Sequence, residues 1–300
     1  MTTLVSEKRD APKARPAPHK ISWVWLGVTP FFLFAFMFLL YPSSTIAVKS
    51  FQDTTTHLFT LNNFVHLLQN PNLLNAYWIS IKISLITSLG GGIFGFFLAY
   101  SAIRGGLPPF MRTSLMTFCG VASNFAGVPL AFAFIALLSP SGVLTGWLRS
   151  VGYNPYFHGF QLYTFWGLSM VYMYFQFPLM VLVISPAIDG LRREWHEAAE
   201  NLGASTFQYW RYVALPILLP SILGTMILLF GNSFGAFATA QALTGGSINL
   251  VTIMIGAQLR GDVLGDAGLG YALALGMVVV MAVAIAGYTL LQRKSERWLR

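Results

Sequence analysis

Arg192-Arg193-Glu194-Trp195-His196-Glu197-Ala198-Ala199-Glu200-Asn201-Leu202-Gly203-Ala204-Ser205 is a polar island between two long apolar runs. Ala198, Ala199 and Leu202, flanked by charges, suit a short helix, and Glu194 and Glu197 near its start suit the positive end of the helix dipole. Gly203 can end that helix. Phe207, Trp210 and Arg211 then begin a second short helix, and Val213-Ala214-Leu215-Pro216 leads into the next apolar run. The stretch reads as an amphipathic helix-turn-helix beside a much more apolar body.

That body is set by composition: 55% of residues are hydrophobic and 9% charged, with a mean hydropathy of +0.63. A soluble domain carries roughly a quarter of its residues charged, so the solvent of this chain is lipid. Requiring about twenty mainly apolar residues per crossing places spans near Trp23–Tyr41, Asn75–Ile103, Phe110–Leu138, Gln161–Ile188, Ile217–Leu243 and Gly268–Leu291. The first run is long for a signal peptide and lacks a small-x-small cleavage site, so it is an uncleaved span.

Six spans put both termini on one side. That side then receives Lys8, Arg9, Lys13, Arg15, Lys20, Arg104, Arg112, Arg192, Arg193, Arg211, Arg293, Lys294, Arg297 and Arg300. The other side receives Lys49, Arg149 and Arg260, and Lys82 stays inside a span. Positive charge is retained in the cytoplasm, so both termini are expected there. The expectation is an all-α membrane protein of the bacterial inner membrane. It has a disordered basic tail over 1–22, broken by Pro12, Pro16 and Pro18, a six-helix membrane domain over 23–292 and a basic tail over 293–300. The polar island, taken as about 190–216, is its longest cytoplasmic loop.

Several classes of function are excluded by what the spans lack. Cys119 has no cysteine partner for a disulfide or thiolate metal site. The net charge of +8 lies beside span ends, where topology accounts for it, so no nucleic-acid partner is expected. His19, His57, His66, His158 and His196 fall in tails or loops, which leaves an intramembrane hydrolase without a base and a zinc enzyme without a ligand set. An ion-coupled carrier usually holds ionisable groups at mid-membrane. Here Asp189 lies at a span end and Asp262 and Asp266 in an external loop. No phosphate-cradling Gly-x-x-x-x-Gly-Lys-Ser/Thr loop occurs, so the chain holds no cofactor of its own and any ATP, with its Mg, is bound by another chain.

A hydrophilic solute needs polar side chains along a watered path. The candidates are Asn124 in the third span, Tyr172, Tyr174 and Gln176 in the fourth, and Asn232 and Ser233 in the fifth. Each can equally serve an interhelical hydrogen bond. Lys82 either snorkels to the external interface or faces the path. Gly90-Gly91-Gly92 and Gly95 form a small-residue face for close helix packing, and Pro129, Pro178 and Pro186 can kink their helices.

The polar island resembles the signature loop of the integral-membrane subunits of ABC importers: Glu-Ala-Ala, three residues, Gly, nine residues, then Ile-x-Leu-Pro. Glu197, Ala198, Ala199, Gly203, Leu215 and Pro216 match in place, with Val213 where the pattern has Ile. Asn63-Phe64 and Leu98-Ala99-Tyr100 with Arg104 also resemble this superfamily. Phe234-Gly235-Ala236-Phe237 and Leu243-Thr244-Gly245-Gly246 look most like its polyamine, ferric iron and phosphonate branch. The resemblance implies a type I importer permease carrying a small hydrophilic solute, spermidine- or putrescine-like, with ferric iron or phosphonate as alternatives. It implies that the loop docks on an ATPase. It also implies as partners a second permease, identical or homologous, two ATP-binding subunits and an extracytoplasmic solute-binding protein.

Overall fold

Where water is scarce, each backbone N–H must be bonded within its own segment, and a long apolar run therefore folds as helix. The computed structural model of the chain follows that rule, describing residues 24–260 and 265–296. The tail expected over 1–22, Asp262 and residues 297–300 lie outside the described residues. The chain divides into two units, Met1–Thr45 and Ile46–Arg300.

The described part of the first unit is helical: α1 (Val24–Ala35), a π-helical turn (Phe36–Leu40) and the start of α2 (Tyr41–Ser50). The first span was expected to stop at Tyr41, at the Pro-Ser-Ser-Thr cluster. The helix instead continues, because the hydroxyls of Ser43, Ser44 and Thr45 turn back to the carbonyl oxygens of Leu39, Tyr41 and Pro42 at 2.6, 2.7 and 2.7 Å. Bonded this way, they do not compete for the backbone N–H groups.

The second unit contains α3 (Asn62–Gln69), α4 (Pro71–Arg104), α5 (Pro109–Asn124), α6 (Gly127–Leu138), α7 (Val143–Ser150) and α8 (Phe165–Asp189). It continues through α9 (Arg193–Asn201), α10 (Thr206–Tyr209), α11 (Leu215–Phe234), α12 (Phe237–Thr244), α13 (Val251–Leu259) and α14 (Ala267–Glu296). Residues 293–296, expected in the C-terminal tail, thus continue the last helix. Among the described residues, six helical segments are long and apolar enough to cross a membrane: Gly27–Ser50, Pro71–Arg104, Gly127–Ser150, Phe165–Asp189, Thr206–Phe234 and Ala267–Arg293.

α4 is the spine of the second unit. Asn70 caps it, its side chain accepting from the Asn72 N–H at 3.0 Å, and Pro71 fills the first turn, where no N–H is needed. Its 34 residues extend roughly 50 Å at about 1.5 Å per residue. That exceeds a hydrocarbon core of roughly 30 Å, so an end must project. α8 lies against it through the glycine face. A Cβ placed on Gly91 would stand 2.6 Å from Gln176 Cβ, and one on Gly95 would stand 2.6 Å from Met180 Cβ and 2.9 Å from the Phe177 carbonyl oxygen. Without a water-driven force between lipid-facing helices, such close approach is what holds them.

Two expected spans are broken. The third splits at Phe125–Ala126: Phe125 closes α5, its N–H donating to the Val121 and Ala122 carbonyls, and Ala126 is extended. Gly127 then has φ +75°, a left-handed conformation that a residue with a Cβ resists. α5 packs beside the Asp189 end of α8, with Cys119 among Met180, Val181 and Ile184. α6 packs beside the other end, with Leu130 and Ala131 among Leu168 and Val171. The fifth run splits at Gly235–Ala236, between α11 and α12. Its N-terminal end differs too, because α10, a π-helical turn (Trp210–Ala214) and α11 run on without a gap. The second short helix of the loop is therefore the start of the span itself.

Candidate functional site

The first half of the polar loop folds as its sequence suggests. α9 starts after Arg192 with Glu194 in its first turn, where the dipole favours an acid. It ends with Leu202 N–H donating to the Ala198 carbonyl, Gly203 N–H to Glu200 and Ala204 N–H to Ala199. Gly203 has φ +73° and open space at its Cβ position, so its backbone, not its packing, requires glycine. Ser205 opens α10 with a capping box, its hydroxyl accepting from the Gln208 N–H at 3.3 Å while Gln208 Oε1 accepts from the Ser205 N–H at 2.7 Å.

The loop has two faces. Trp195, Ala199, Val213 and Trp210 pack on the cluster of Ile184, Ile188, Leu191, Tyr209 and Leu218. Glu197 and Ala198 face outward, Leu215 is partly exposed and Pro216 half-buried. Beside them Leu202 is 86% exposed and Phe207 69%. Among the described residues Glu197 meets only Arg193, one turn back at 3.0 Å, an exposed pair worth at most about 0.5 kcal/mol. Small side chains, one weakly held carboxylate and two bare apolar groups thus lie together on the exposed face of the loop. Leu202 and Phe207 could have been found in the sequence as apolar residues outside the inward-facing set.

A second site lies at the helix breaks. The Gly127 N–H donates to Thr239 Oγ1 at 2.8 Å, and a Cβ at Gly127 would stand 3.8 Å from Ala238 Cβ. The starts of α6 and α12 therefore meet. Beside them a cleft of about 460 Å³ is lined by Phe175, Asn232, Gly235 and Thr239, among others, and no charged side chain contributes among the described residues.

The structure separates the polar residues expected along a path. Asn232 lines this cleft, exposed, and its side chain has no hydrogen-bond partner among the described residues. Ser233, one residue on, is buried and pairs with Thr87 at 2.9 Å. Gln176 is fully buried, Nε2 donating to the Leu229 carbonyl at 2.9 Å while Oε1 has no partner among the described residues. Tyr172 donates to the Ala236 carbonyl at 2.7 Å and thereby holds the break in the fifth span. Asn124 turns back on its own helix, Nδ2 donating to the Gly120 carbonyl at 2.9 Å. Tyr174 sits edge-on to Phe125 and Phe134, at centroid distances of 6.3 and 5.7 Å, beside a different, apolar cleft. Lys82 is exposed and lies over the Trp78 ring at 4.7 Å.

Helices long and apolar enough to span, a loop with bare apolar groups and a cleft at paired helix breaks are features that a membrane transport subunit requires. Over residues 21–297 the chain matches the family described as binding-protein-dependent transport system inner membrane component. The chain belongs to that family: it is a permease subunit of an ABC importer, a multi-pass inner-membrane protein rather than an enzyme or an ion-coupled carrier.

Its relatives include the sulfate transport system permease proteins CysW and CysT of Escherichia coli. CysW is 27% identical over 79% of this chain and 76% of its own length. CysT is 25% identical over 71% and 72%. A probable sulfate permease of Nephroselmis olivacea is 25% identical over 75% and 73%. The fold is shared with a bacterial ABC transporter involved in alginate import, at TM-score 0.72 and 19% identity, covering 90% of this chain and 95% of that one.

These relatives correct the expected placement with the polyamine, ferric iron and phosphonate branch. The motifs behind it encode backbone shape. Phe234-Gly235-Ala236-Phe237 is the helix break, and Gly245 and Gly246, at φ +58° and +88°, form the left-handed cap after α12.

Proposed function

We propose that this chain is one of two permease subunits of an importer for a tetrahedral oxyanion of the sulfate class. A second permease, identical or homologous, faces it across a central path. Two ATP-binding subunits sit beneath, and a solute-binding protein delivers the anion from outside. The names of the relatives carry the choice of solute.

The chemistry of the cleft agrees with that choice. Asn232 offers an uncharged donor, the starts of α6 and α12 bring the positive ends of two helix dipoles to the cleft, and among the described residues no carboxylate stands there to repel an anion. In our reading Asn232 belongs to the path. Ser233, Gln176, Asn124 and Tyr174 hold the helices that frame it.

ATP and Mg bind to the partner ATPase, whose closure draws the two loops together. Glu197, Ala198, Ala199, Gly203, Leu215 and Pro216 belong to the surface and hinge that receive this motion. The pore then turns from inward- to outward-facing, and hydrolysis resets it. Both termini lie in the cytoplasm, on the side that the Lys and Arg count favours.

Uptake of labelled sulfate tests the solute, in cells that lack their own sulfate importers and express this chain with its partners. Saturable uptake, competed by thiosulfate and untouched by putrescine, is the expected result. Uptake of putrescine with none of sulfate would reject the oxyanion reading.

A further inference from the structure

Arg104, in the last turn of α4, belongs neither to the docking face nor to the cleft. Its Nη2 donates to the carbonyl oxygen of Ile188 at 3.1 Å and also to that of Leu191. These carbonyls close α8 and the short link to α9, where a helix end leaves acceptors unpaired. Both residues are buried, and Leu191 directly precedes Arg192, the cap of α9. The negative end of the α8 dipole faces the guanidinium. Asp189, the acid nearest in sequence, is engaged by Arg112 at 2.5 Å.

One turn back on α4, Tyr100 meets Trp210 edge-on at a centroid distance of 5.0 Å, and Phe96 meets it at 6.5 Å. Residues four apart share a helix face. The end of α4 therefore grips the loop at its entry through Arg104 and at its exit through Trp210. From that grip α4 runs along α8 through Gly95 and Gly91 to Thr87, whose hydroxyl pairs with Ser233 beside Asn232.

We propose that Arg104 is a positioning residue for ATP coupling. It locks the docking loop to α4, so that movement imposed on the loop reaches the helix break at Gly235 instead of being absorbed at the α8–α9 joint. The proposal rests on the importer reading.

The test uses the full complex with its ATPase, the chain carrying Cys119→Ser and Asn232→Cys. The rate at which a water-soluble thiol reagent labels position 232 is measured with and without a non-hydrolysable ATP analogue. With Arg104 present, the nucleotide should change that rate. Arg104→Gln should keep the ATPase subunit bound yet lose the response, and Arg104→Lys, which restores a cationic donor, should recover it.

An intact response in Arg104→Gln overturns the proposal, as does a Lys variant no better than Gln. A complex that holds its ATPase but shows no nucleotide response even with Arg104 overturns it too. A chain that holds no ATPase at all removes the importer reading, and the proposal with it, and that failure is visible separately as a missing subunit. If Arg104→Gln does not accumulate, Trp210→Leu opens the other grip and should lose the response in the same way; a retained response there counts against the proposal.

Discussion

Replacing Gly95 by alanine adds one methyl group to the close contact between α4 and α8. That methyl carbon would stand 2.6 Å from Met180 Cβ, 2.9 Å from Met180 Cγ and 2.9 Å from the Phe177 carbonyl oxygen. A carbonyl oxygen and a Cβ cannot swing away, so α4 and α8 must separate, at an overpacking cost of about 1–3 kcal/mol. Against this, alanine favours a helix interior over glycine by about 1 kcal/mol.

Gly120→Ala supplies the control, since nothing lies within 4 Å of its Cβ position in α5. The propensity gain is common to both variants, so their difference isolates the packing cost, about 1–3 kcal/mol. Gly90→Ala should fall between them, because its Cβ meets the flexible Met173 Cε at 2.6 Å. Reversible unfolding in mild detergent, followed by tryptophan emission, gives the three values. Gly95→Ala as stable as Gly120→Ala would refute the close contact and the role of the glycine face.

Three further predictions follow from the loops and the cleft. Gly203→Asp places a residue with a Cβ at φ +73°, a strain of about 1 kcal/mol, and a new charge beside the docking face; uptake should be lost with membrane insertion unchanged, as a membrane fractionation beside the transport assay will show. Asn232→Leu should change the apparent affinity or preference for oxyanions while the complex still assembles, and unaltered transport kinetics would return Asn232 to a packing role.

Asp53 supplies a pH test. The Thr56 N–H, then the Thr55 hydroxyl, the Thr55 N–H and the Thr56 hydroxyl hold its carboxyl well below the usual carboxylate range. A depressed folded-state pKa gives stability that is present above the unfolded value of about 3.9 and drains away as pH falls towards the folded one. Amide exchange of Thr55 and Thr56 should therefore stay slow, relative to the intrinsic rate, down to the ordinary carboxylate range. Opening of this loop near pH 5 would contradict the assignment.

Much of this was legible in the sequence, because lipid leaves a chain few choices. The apolar runs became helices, and the Glu-Ala-Ala-to-Gly spacing became a helix, a left-handed glycine and a second helix. What stayed hidden depended on partners far away in sequence. The break at Ala126 is held by Thr239, and the break at Gly235–Ala236 by Tyr172. Within their own runs, Gly127, Pro129 and Gly235 were compatible with continuous helices. Arg104 reads as a charge for topology and as part of the superfamily resemblance, and nothing near it in sequence announces Ile188 and Leu191 as its acceptors. The motif around Gly235 reads as a solute signature but encodes a bend. Asn232 stood out from Gln176 and Ser233 only once their buried partners were placed.

The central claim is that the loop from Arg192 to Pro216 carries this permease on an ATPase. Mild-detergent purification of the tagged chain, with mass spectrometry of the proteins retained by the wild type and by Gly203→Asp, tests it most directly. The account predicts an ATP-binding subunit and a second permease held by the wild type, with the ATP-binding subunit lost from the variant. A wild-type chain isolated without any ATPase, under conditions that preserve other membrane complexes, would contradict it.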